Sequence, residues 1–157
     1  MDKFPITREG FERLKEELDR LRKVDVPANI RDIEEARGHG DISENAEYAA
    51  AKERQSFIQG KVQELENNLA QSTIVDLKDL TDEMVVFGST VTIEDINTGE
   101  VTCYRLVGPF ESDMSRNQLS VTSPIGKALI RKKLGDEVRV NTPGGVREFE
   151  VVDIAVE

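Results

Sequence analysis

The sequence has little of the material from which large globular cores, disulfide frameworks and membrane spans are built. It has no tryptophan, only 5% aromatic residues, and Cys103 as its single cysteine. One cysteine excludes an internal disulfide and a cysteine-rich zinc site. No apolar run approaches the roughly 18 residues that a membrane span needs, and the N-terminus carries no signal-like apolar segment. We therefore expect a soluble, cytoplasmic protein with no membrane partner.

Positive charge is also scarce. The chain has 21 lysines and arginines against 31 acidic residues, a formal net charge of -10. Because phosphate contacts need clustered lysine and arginine, this balance argues against a free-standing nucleic-acid-binding domain. An acidic chain is better suited to a basic protein surface or cleft. With 38% apolar and 33% charged residues in 157, a charged coiled coil followed by a small sheet domain is favoured over one large core.

Apolar residues in the first half recur at the spacing of a helical seam. Steps of three and four separate Phe11, Leu14, Leu18 and Leu21, which is a heptad pattern. Thr7 is the expected N-cap. Val26-Pro27 predicts a kink or a brief break, and Gly38 is expected to end the second helical piece in the left-handed conformation. The buried positions predicted for that second piece are Ala28, Ile30, Ile33 and Ala36.

A returning helix is predicted over residues 45–70. Its apolar stripe again alternates four and three, and Tyr48 and Phe57 are assigned to the same seam. If helical throughout, this segment is about 39 Å long at roughly 1.5 Å per residue. The two seams predict an antiparallel coiled-coil hairpin over residues 1–75, with an acidic tip at 38–45. The stripe of the returning helix is Ile58, Val62, Leu65 and Leu69.

Residues 80–157 change to the two-residue period of β-strands. An antiparallel sheet with one helix across it is the simplest assembly, so the fold class is α+β. Ser123-Pro124 begins the helix, Gly135 ends it, and Cys103 is assigned to the core. Turns are predicted at 97–99 and 143–145. The predicted strands are 85–87, 90–93, 102–107 and 119–121, with a terminal hairpin of 137–140 and 148–152.

The tip carries two acids three positions apart, Asp41 and Glu44. Two carboxylates with no further fixed ligands would make an incomplete site for Mg²⁺, useful when another macromolecule supplies the remaining ligands. The same spacing fits a capping box with Asp41 as N-cap and Glu44 at the third helical position. From the spacing alone the capping box is favoured, although Ser43 and Asn45 can also begin the helix.

Two motifs resemble those of one family. Residues 35–48, read as EARGHGDISENAEY, closely resemble the tip motif of the GreA/GreB family of bacterial transcript cleavage factors. Residues 123–130, SPIGKALI, together with the TPGG at 142–145, resemble the second signature of that family. The likeness covers essentially the whole chain in the same order. Ser43 stands where members often carry a basic residue, and Lys52 where arginine is common.

The resemblance implies a function on RNA polymerase. The hairpin would enter the secondary channel of bacterial RNA polymerase and meet the extruded 3′ end of backtracked nascent RNA. Asp41 and Glu44 would hold Mg²⁺ jointly with the polymerase, too weakly for tight binding alone, so that the polymerase cleaves the RNA and arrested complexes resume. Arg37 and Lys52 would contact RNA or phosphate near the tip. The chain would then be a co-catalytic factor and not itself an enzyme.

The resemblance also implies that the C-terminal part has an FKBP-like fold of antiparallel β-sheet with one helix, without prolyl isomerase activity. This part would dock on the rim of the channel through Ser123, Pro124 and Ile125, in a working monomer. Two other functions stay open. One is a homologue that occupies the channel and inhibits the polymerase, against which the intact acid pair argues. The other is a structural coiled-coil adaptor whose tip acids serve only as a cap.

Overall fold

The structure is a computed structural model that describes residues 3–40 and 45–155. The chain forms two compact units. One is the helical unit, Phe11–Gln71, and the other is the sheet unit, which joins Met1–Gly10 to Ser72–Glu157. The first residues of the chain therefore belong with the sheet unit, although the helical unit separates them from it in the sequence.

The first helical arm runs from Arg8 to Arg37 without a break. It consists of α1 (Arg8–Arg20), a π-helical turn (Leu21–Asp25) and α2 (Val26–Arg37). Of the kink or brief break expected at Val26-Pro27, the break is wrong, because the backbone stays right-handed helical on both sides of the π turn. In place of a break, the helix contains a wider π-helical turn directly before Val26. Pro27 follows directly after the π turn, and because it has no N–H, one carbonyl of that turn lacks a helical donor.

The returning helix is α3 (Ala46–Ala70), and it packs on the first arm in antiparallel sense. The predicted seam is confirmed in its main residues. Arg22 pairs with Glu66 at one end, while the Asn29 side chain reaches Ala51 further along. The side chains that form the seam core are Leu18, Leu21, Ile58 and Leu65, with Leu14, Val26, Val62 and Leu69 packed against them.

Two residues predicted for the seam lie outside it. Phe57 is 72% exposed and Ile30 is 46% exposed. On the first arm the buried position is Asn29, whose Nδ2 donates to the Ala51 carbonyl oxygen at 3.0 Å. The predicted positions Ile33 and Ala36 are buried, so Asn29 takes the place of Ile30 in the inward-facing stripe of α2. A buried asparagine bonded across a seam also disfavours other registers of the two helices.

In its described residues, the sheet unit contains two separate sheets. Parallel strands β1 (Phe4–Ile6) and β2 (Ser72–Ile74) form the smaller one. The larger has the order β5-β4-β3-β7-β6. Its strands are β3 (Thr90–Asp95), β4 (Val101–Val107), β5 (Gln118–Ser120), β6 (Glu137–Thr142) and β7 (Gly145–Ala155), and α4 (Pro124–Leu129) packs on it. The predicted α+β fold class, a helical hairpin followed by a small sheet with one helix, is confirmed.

Several details of the predicted sheet are wrong. The larger sheet is mixed, because β4 and β5 pair in parallel. Val85 is not in a strand, although its N–H and carbonyl pair with Lys132 and Arg131 at 2.8 Å. The helix α4 ends at Leu129 and not at Gly135, since the chain leaves the helical conformation at Ile130. Cys103 is exposed. The pairing of β1 with β2 was not predicted.

The core of the sheet unit lies between the larger sheet and α4. The terminal hairpin is confirmed, with Thr142 paired to Gly145 across its turn. The turn at 97–99 is confirmed as well, and Gly99 takes the positive φ of 76° that glycine adopts readily. The buried core side chains are Val85, Val91, Ile93, Leu106, Leu119, Leu129, Val138, Val140, Phe149, Val151 and Ile154.

A buried carboxylate ties the start of the chain to this unit. Glu111, 9% exposed, accepts from the Thr7 N–H at 2.8 Å, from the Gly108 N–H at 2.9 Å and from the Thr7 hydroxyl. The Thr7 Oγ1 in turn accepts from the Gly10 N–H at 3.0 Å, which confirms Thr7 as the N-cap of α1. A Cβ at Gly108 would overlap the Pro5 carbonyl oxygen. The chain is closely packed at this junction, where residues 5–7 meet Gly108 and Glu111.

A second buried carboxylate closes the turn between β3 and β4. Asp95 Oδ1 accepts from the N–H groups of Asn97 and Thr98 at 2.9 and 3.1 Å, and Oδ2 accepts from Arg147 at 3.1 Å. The Arg147 hydrogen bond first, and the Thr98 N–H second, lower the pKa of Asp95 below its ordinary value of 3.8. The Arg147 guanidinium also lies 4.8 Å from the centre of the Phe149 ring.

Replacing Asp95 with asparagine should therefore make stability less dependent on acid pH. A carboxyl with a depressed native pKa stabilises the fold above its unfolded pKa, and this stabilisation is lost as pH falls through the native pKa. Thermal unfolding should be measured from neutral pH to below pH 3.8. The parent should be more stable than Asp95→Asn at neutral pH, and this difference in stability should shrink as pH falls below 3.8. The exposed Asp82→Asn serves as control. An unchanged difference at all pH values would contradict the role of the charge.

Candidate functional site

The two predicted catalytic acids, Asp41 and Glu44, lie outside the described residues. Their neighbours on both sides are described and belong to the helical unit. On one side α2 ends at Arg37, and on the other α3 begins at Ala46. What the structure contributes to the site is therefore the geometry of these two helix ends.

The C-terminal end of α2 tightens before the chain turns. The Gly38 N–H donates to the carbonyl oxygens of Glu34 and Glu35 at 3.3 and 3.1 Å, and the His39 N–H donates to Ala36 at 3.2 Å. Gly38 ends the helix as expected, but its φ of -73° is right-handed. The left-handed conformation expected at Gly38 is therefore wrong, and the positive φ, 109°, is found at Gly40. The N–H groups of Gly38 and His39 bond to the last carbonyls of α2 and tighten its last turn. The positive φ therefore comes two residues after Gly38.

The N-terminal end of α3 is capped by Asn45. Its Oδ1 accepts from the N–H groups of Glu47 and Tyr48 at 3.0 and 3.1 Å, and its backbone is extended, as an N-cap requires. The capping-box interpretation, with Asp41 as N-cap of the returning helix, is therefore wrong for α3. A helix that begins at Ala46 has its third residue at Tyr48 and not at Glu44, and its first N–H groups are satisfied by Asn45.

The flanking charges make local contacts. The Arg37 guanidinium lies 6.0 Å from the centre of the Tyr48 ring, the outer limit of a cation–π contact. Lys52 donates from Nζ to Gln55 Oε1 at 2.8 Å. Both cations are exposed on the helical unit and are open to a charged partner. No described contact joins Arg37 to Lys52.

Sequence reasoning missed two contacts next to the tip. Asn45 Nδ2 donates to the Ala36 carbonyl oxygen at 2.5 Å, and His39 Nδ1 lies 2.8 Å from Glu47 Oε2. An asparagine followed by an alanine-rich helical pattern is a recognisable N-cap signal. The bond back to Ala36 has no local signal, because it depends on how the two helices approach each other.

Metal ligands were sought on the described residues as well. Within 3–40 and 45–155, no group of three or more histidine, cysteine, aspartate or glutamate side chains is arranged to hold an ion. In that same part of the chain, no helix is long and apolar enough to cross a membrane. Carboxylates are the ligands that Mg²⁺ prefers, so the chemistry of Asp41 and Glu44 fits this ion.

The predicted docking residues lie at the start of α4. Ser123 Oγ accepts from the Gly126 N–H at 3.0 Å and donates to the Ser120 carbonyl at 2.6 Å, which confirms its N-cap role. Pro124 is exposed in the first turn, while Ile125 packs partly against the sheet core. Pro124 can therefore meet a partner directly, whereas Ser123 and Ile125 also hold the helix in place.

Comparison with known families gives the class of the protein as a transcription elongation factor. Residues 4–74 match the family described as Transcription elongation factor, N-terminal, and residues 80–156 match Transcription elongation factor, GreA/GreB, C-term. The chain belongs to the GreA/GreB family of transcription elongation factors. Membership implies an interaction with RNA polymerase, and it is consistent with a factor that is not itself an enzyme.

Two relatives that are similar in sequence agree with this assignment. Transcription elongation factor GreA of Syntrophus aciditrophicus is 66% identical, over 99% of this chain and 97% of that protein. The factor of the same name from Syntrophobacter fumaroxidans is 56% identical, over 98% and 99%. Among solved structures, GreA factor homolog 1 of Thermus thermophilus is 30% identical and covers 98% of this chain and 99% of that one, at a TM-score of 0.45.

Proposed function

We propose that this chain inserts its helical hairpin into the secondary channel of RNA polymerase and stimulates Mg²⁺-dependent cleavage of backtracked RNA. The observation that carries the proposal is the cap of α3. Asn45 supplies the cap through two hydrogen bonds, so a cap for this helix does not explain the neighbouring acid pair. Two carboxylates at the turn of a hairpin are then best explained by what they meet outside the chain.

The hairpin is suited to reaching into a narrow space. The 25 residues of α3 span about 37 Å at roughly 1.5 Å per residue, and each helix is about 10–12 Å across with its side chains. The core along the seam, formed by residues such as Leu18 and Leu65, holds the two helices together. Most of the remaining helical surface is polar and can face a wet channel.

Asp41 and Glu44 would hold a Mg²⁺ ion together with ligands from the polymerase. When bound, this ion would lower the pKa of a water molecule and stabilise charge on the phosphate. The carboxylates of this chain would orient that water and leave bond cleavage to the polymerase. Arg37 and Lys52, both exposed, would contact phosphates of the extruded RNA, Lys52 as a point charge and Arg37 through its planar fork.

The sheet unit would dock on the rim of the channel. The start of α4 offers the surface for this contact, with Pro124 exposed and held by the Ser123 cap. Ile125, partly packed on the core, would fix the position of that surface. One copy of the chain supplies one hairpin and one rim contact, so we propose a monomer as the working form.

The test is transcript cleavage by a backtracked elongation complex with Mg²⁺. Adding the protein should release short RNA fragments from the 3′ end and allow the shortened transcripts to be extended. The protein without polymerase should leave the same RNA intact, because it lacks the remaining metal ligands. If the protein binds the complex and blocks extension without releasing fragments, it is an inhibitor. If it neither blocks nor cleaves, the adaptor function replaces the proposal.

A further inference from the structure

We propose that Asn45 is a positioning residue, which fixes the helix ends on either side of the acid pair and so sets how Asp41 and Glu44 are presented. The inference rests on the proposed cleavage function, since it concerns the presentation of those acids. It begins from one side chain that bonds to both helices of the hairpin. A residue that served only as N-cap would bond to α3 and not to α2.

The Asn45 amide uses its two ends for different helices. Oδ1 accepts from the N–H groups of Glu47 and Tyr48 in the first turn of α3. Nδ2 donates to the carbonyl oxygen of Ala36 in the last turn of α2, at 2.5 Å. Helix ends leave N–H and C=O groups without helical partners. One side chain thus serves both ends and joins them.

The acceptor on α2, the Ala36 carbonyl oxygen, belongs to a buried residue. Ala36 is 2% exposed and lies in the inward-facing stripe of its helix. Its carbonyl oxygen also receives the His39 N–H at 3.2 Å, so the first residues after α2 share the same anchor. A second tie, between His39 and Glu47, is half exposed and therefore weaker. Of the two described hydrogen-bonded ties between the end of α2 and the start of α3, the one made by Asn45 is therefore the stronger.

Asparagine is suited to this double role by its chemistry. Aspartate caps a helix equally well, but it would place a carboxylate oxygen against the Ala36 carbonyl. Serine also caps, but its hydroxyl oxygen lies one bond closer to the backbone than the asparagine Nδ2, so it is too short to reach Ala36 while it accepts from α3. Both substitutions therefore keep the cap of α3 and remove the link to α2. They differ in charge, which separates lost positioning from an added negative charge near the metal ligands.

The experiment compares Asn45→Asp and Asn45→Ser with the parent in the full-length protein. Asn67→Asp is the matched control, because it makes the same chemical change on the same helix at an exposed position. Three quantities are measured. These are the cleavage rate at saturating factor, the factor concentration that gives half-maximal effect, and amide hydrogen exchange of the free protein.

Both Asn45 variants should cleave at least about tenfold more slowly, since small misplacements of catalytic groups have effects of this order. Half-saturating factor concentrations should stay within about twofold, because the surface that enters the channel keeps its seam. Exchange at Gly38 and His39 should accelerate, while Glu47 and Tyr48 stay protected by the retained cap. Raising the Mg²⁺ concentration should recover part of the lost rate. The control should match the parent throughout.

Several results would overturn the inference. Parent-like cleavage by both Asn45 variants would do so, and so would a loss confined to Asn45→Asp, which would assign the effect to charge. If the Tyr48 amide lost its protection from hydrogen exchange and polymerase binding weakened as well, the role of Asn45 would be that of an N-cap only. The Asp41→Asn variant separates this inference from the proposed function. If Asp41→Asn cleaves like the parent, the proposed function itself fails, whatever the Asn45 variants do.

Discussion

Asp41→Asn and Glu44→Gln should each reduce stimulated RNA cleavage at least about a hundredfold, the scale seen when one preorganised electrostatic group is lost from an active site. Each substitution keeps the size of the side chain and removes the negative charge that a hard cation requires. The seam of the hairpin is unaffected, because its core lies among residues such as Leu18, Leu21 and Ile58. Binding to the polymerase should therefore persist.

The measurement is the rate of fragment release from a backtracked complex, alongside competition for polymerase binding. Asp32→Asn and Glu53→Gln are matched controls, since they make the same changes at exposed positions of α2 and α3. Both controls should cleave like the parent. Loss of binding by Asp41→Asn or Glu44→Gln would mean that the acids hold the complex together and do not serve the chemistry. Parent-like cleavage would leave the acids without a catalytic role.

Glu111→Ala should destabilise the sheet unit by about 3 kcal/mol or more. The carboxylate receives the N–H groups of Thr7 and Gly108 in a buried setting, and a buried donor left without a partner costs roughly 1–3 kcal/mol. The Thr7 hydroxyl loses the same partner. In Glu111→Gln the amide oxygen can still accept both N–H groups, which share Oε2, and the N–H₂ meets the Thr7 hydroxyl oxygen, which can accept, so this variant should be less destabilising than Glu111→Ala.

Hydrogen exchange gives the sharper measurement, because a chain of two units need not unfold in one step. Exchange at Val75, whose N–H donates to the Ile6 carbonyl at 2.9 Å, should accelerate by two or more powers of ten, by the same penalty of about 3 kcal/mol. The exposed Glu100→Ala is the control and should leave that rate unchanged. Val75 protection equal to the parent's in Glu111→Ala would show that the junction does not depend on the carboxylate.

The parts of the fold that the sequence predicted are those with a local, repeated signal. The stripe of Ile58, Val62, Leu65 and Leu69 predicts α3 because helical neighbours along one face recur every three or four residues. The terminal hairpin follows from strand patterns on both sides of Pro143-Gly144-Gly145, and Ser123-Pro124 predicts the start of α4. Each of these signals lies within a few residues of the element that it predicts.

The parts that sequence reasoning missed depend on residues far apart in the chain. Glu111 bonds to Thr7 across 104 positions, and β1 pairs with a strand that follows the whole helical unit. The exposure of Phe57 also depends on where the partner helix lies. For the site, Asp41 and Glu44 came from their spacing and from a family resemblance. The bond from Asn45 to Ala36 needed the two helices in place.

The π turn at Leu21–Asp25 sets the direction in which the hairpin's far end faces. Along the first arm the inward side chains step from Leu14 to Leu18 to Leu21 and then jump five positions to Val26. One additional residue in a helix corresponds to a rotation of about 100° and an advance of only about 1.5 Å. Removing a single residue from this turn would hardly shorten the arm. It would instead rotate everything beyond it about the helix axis, including the residues that lead to Asp41.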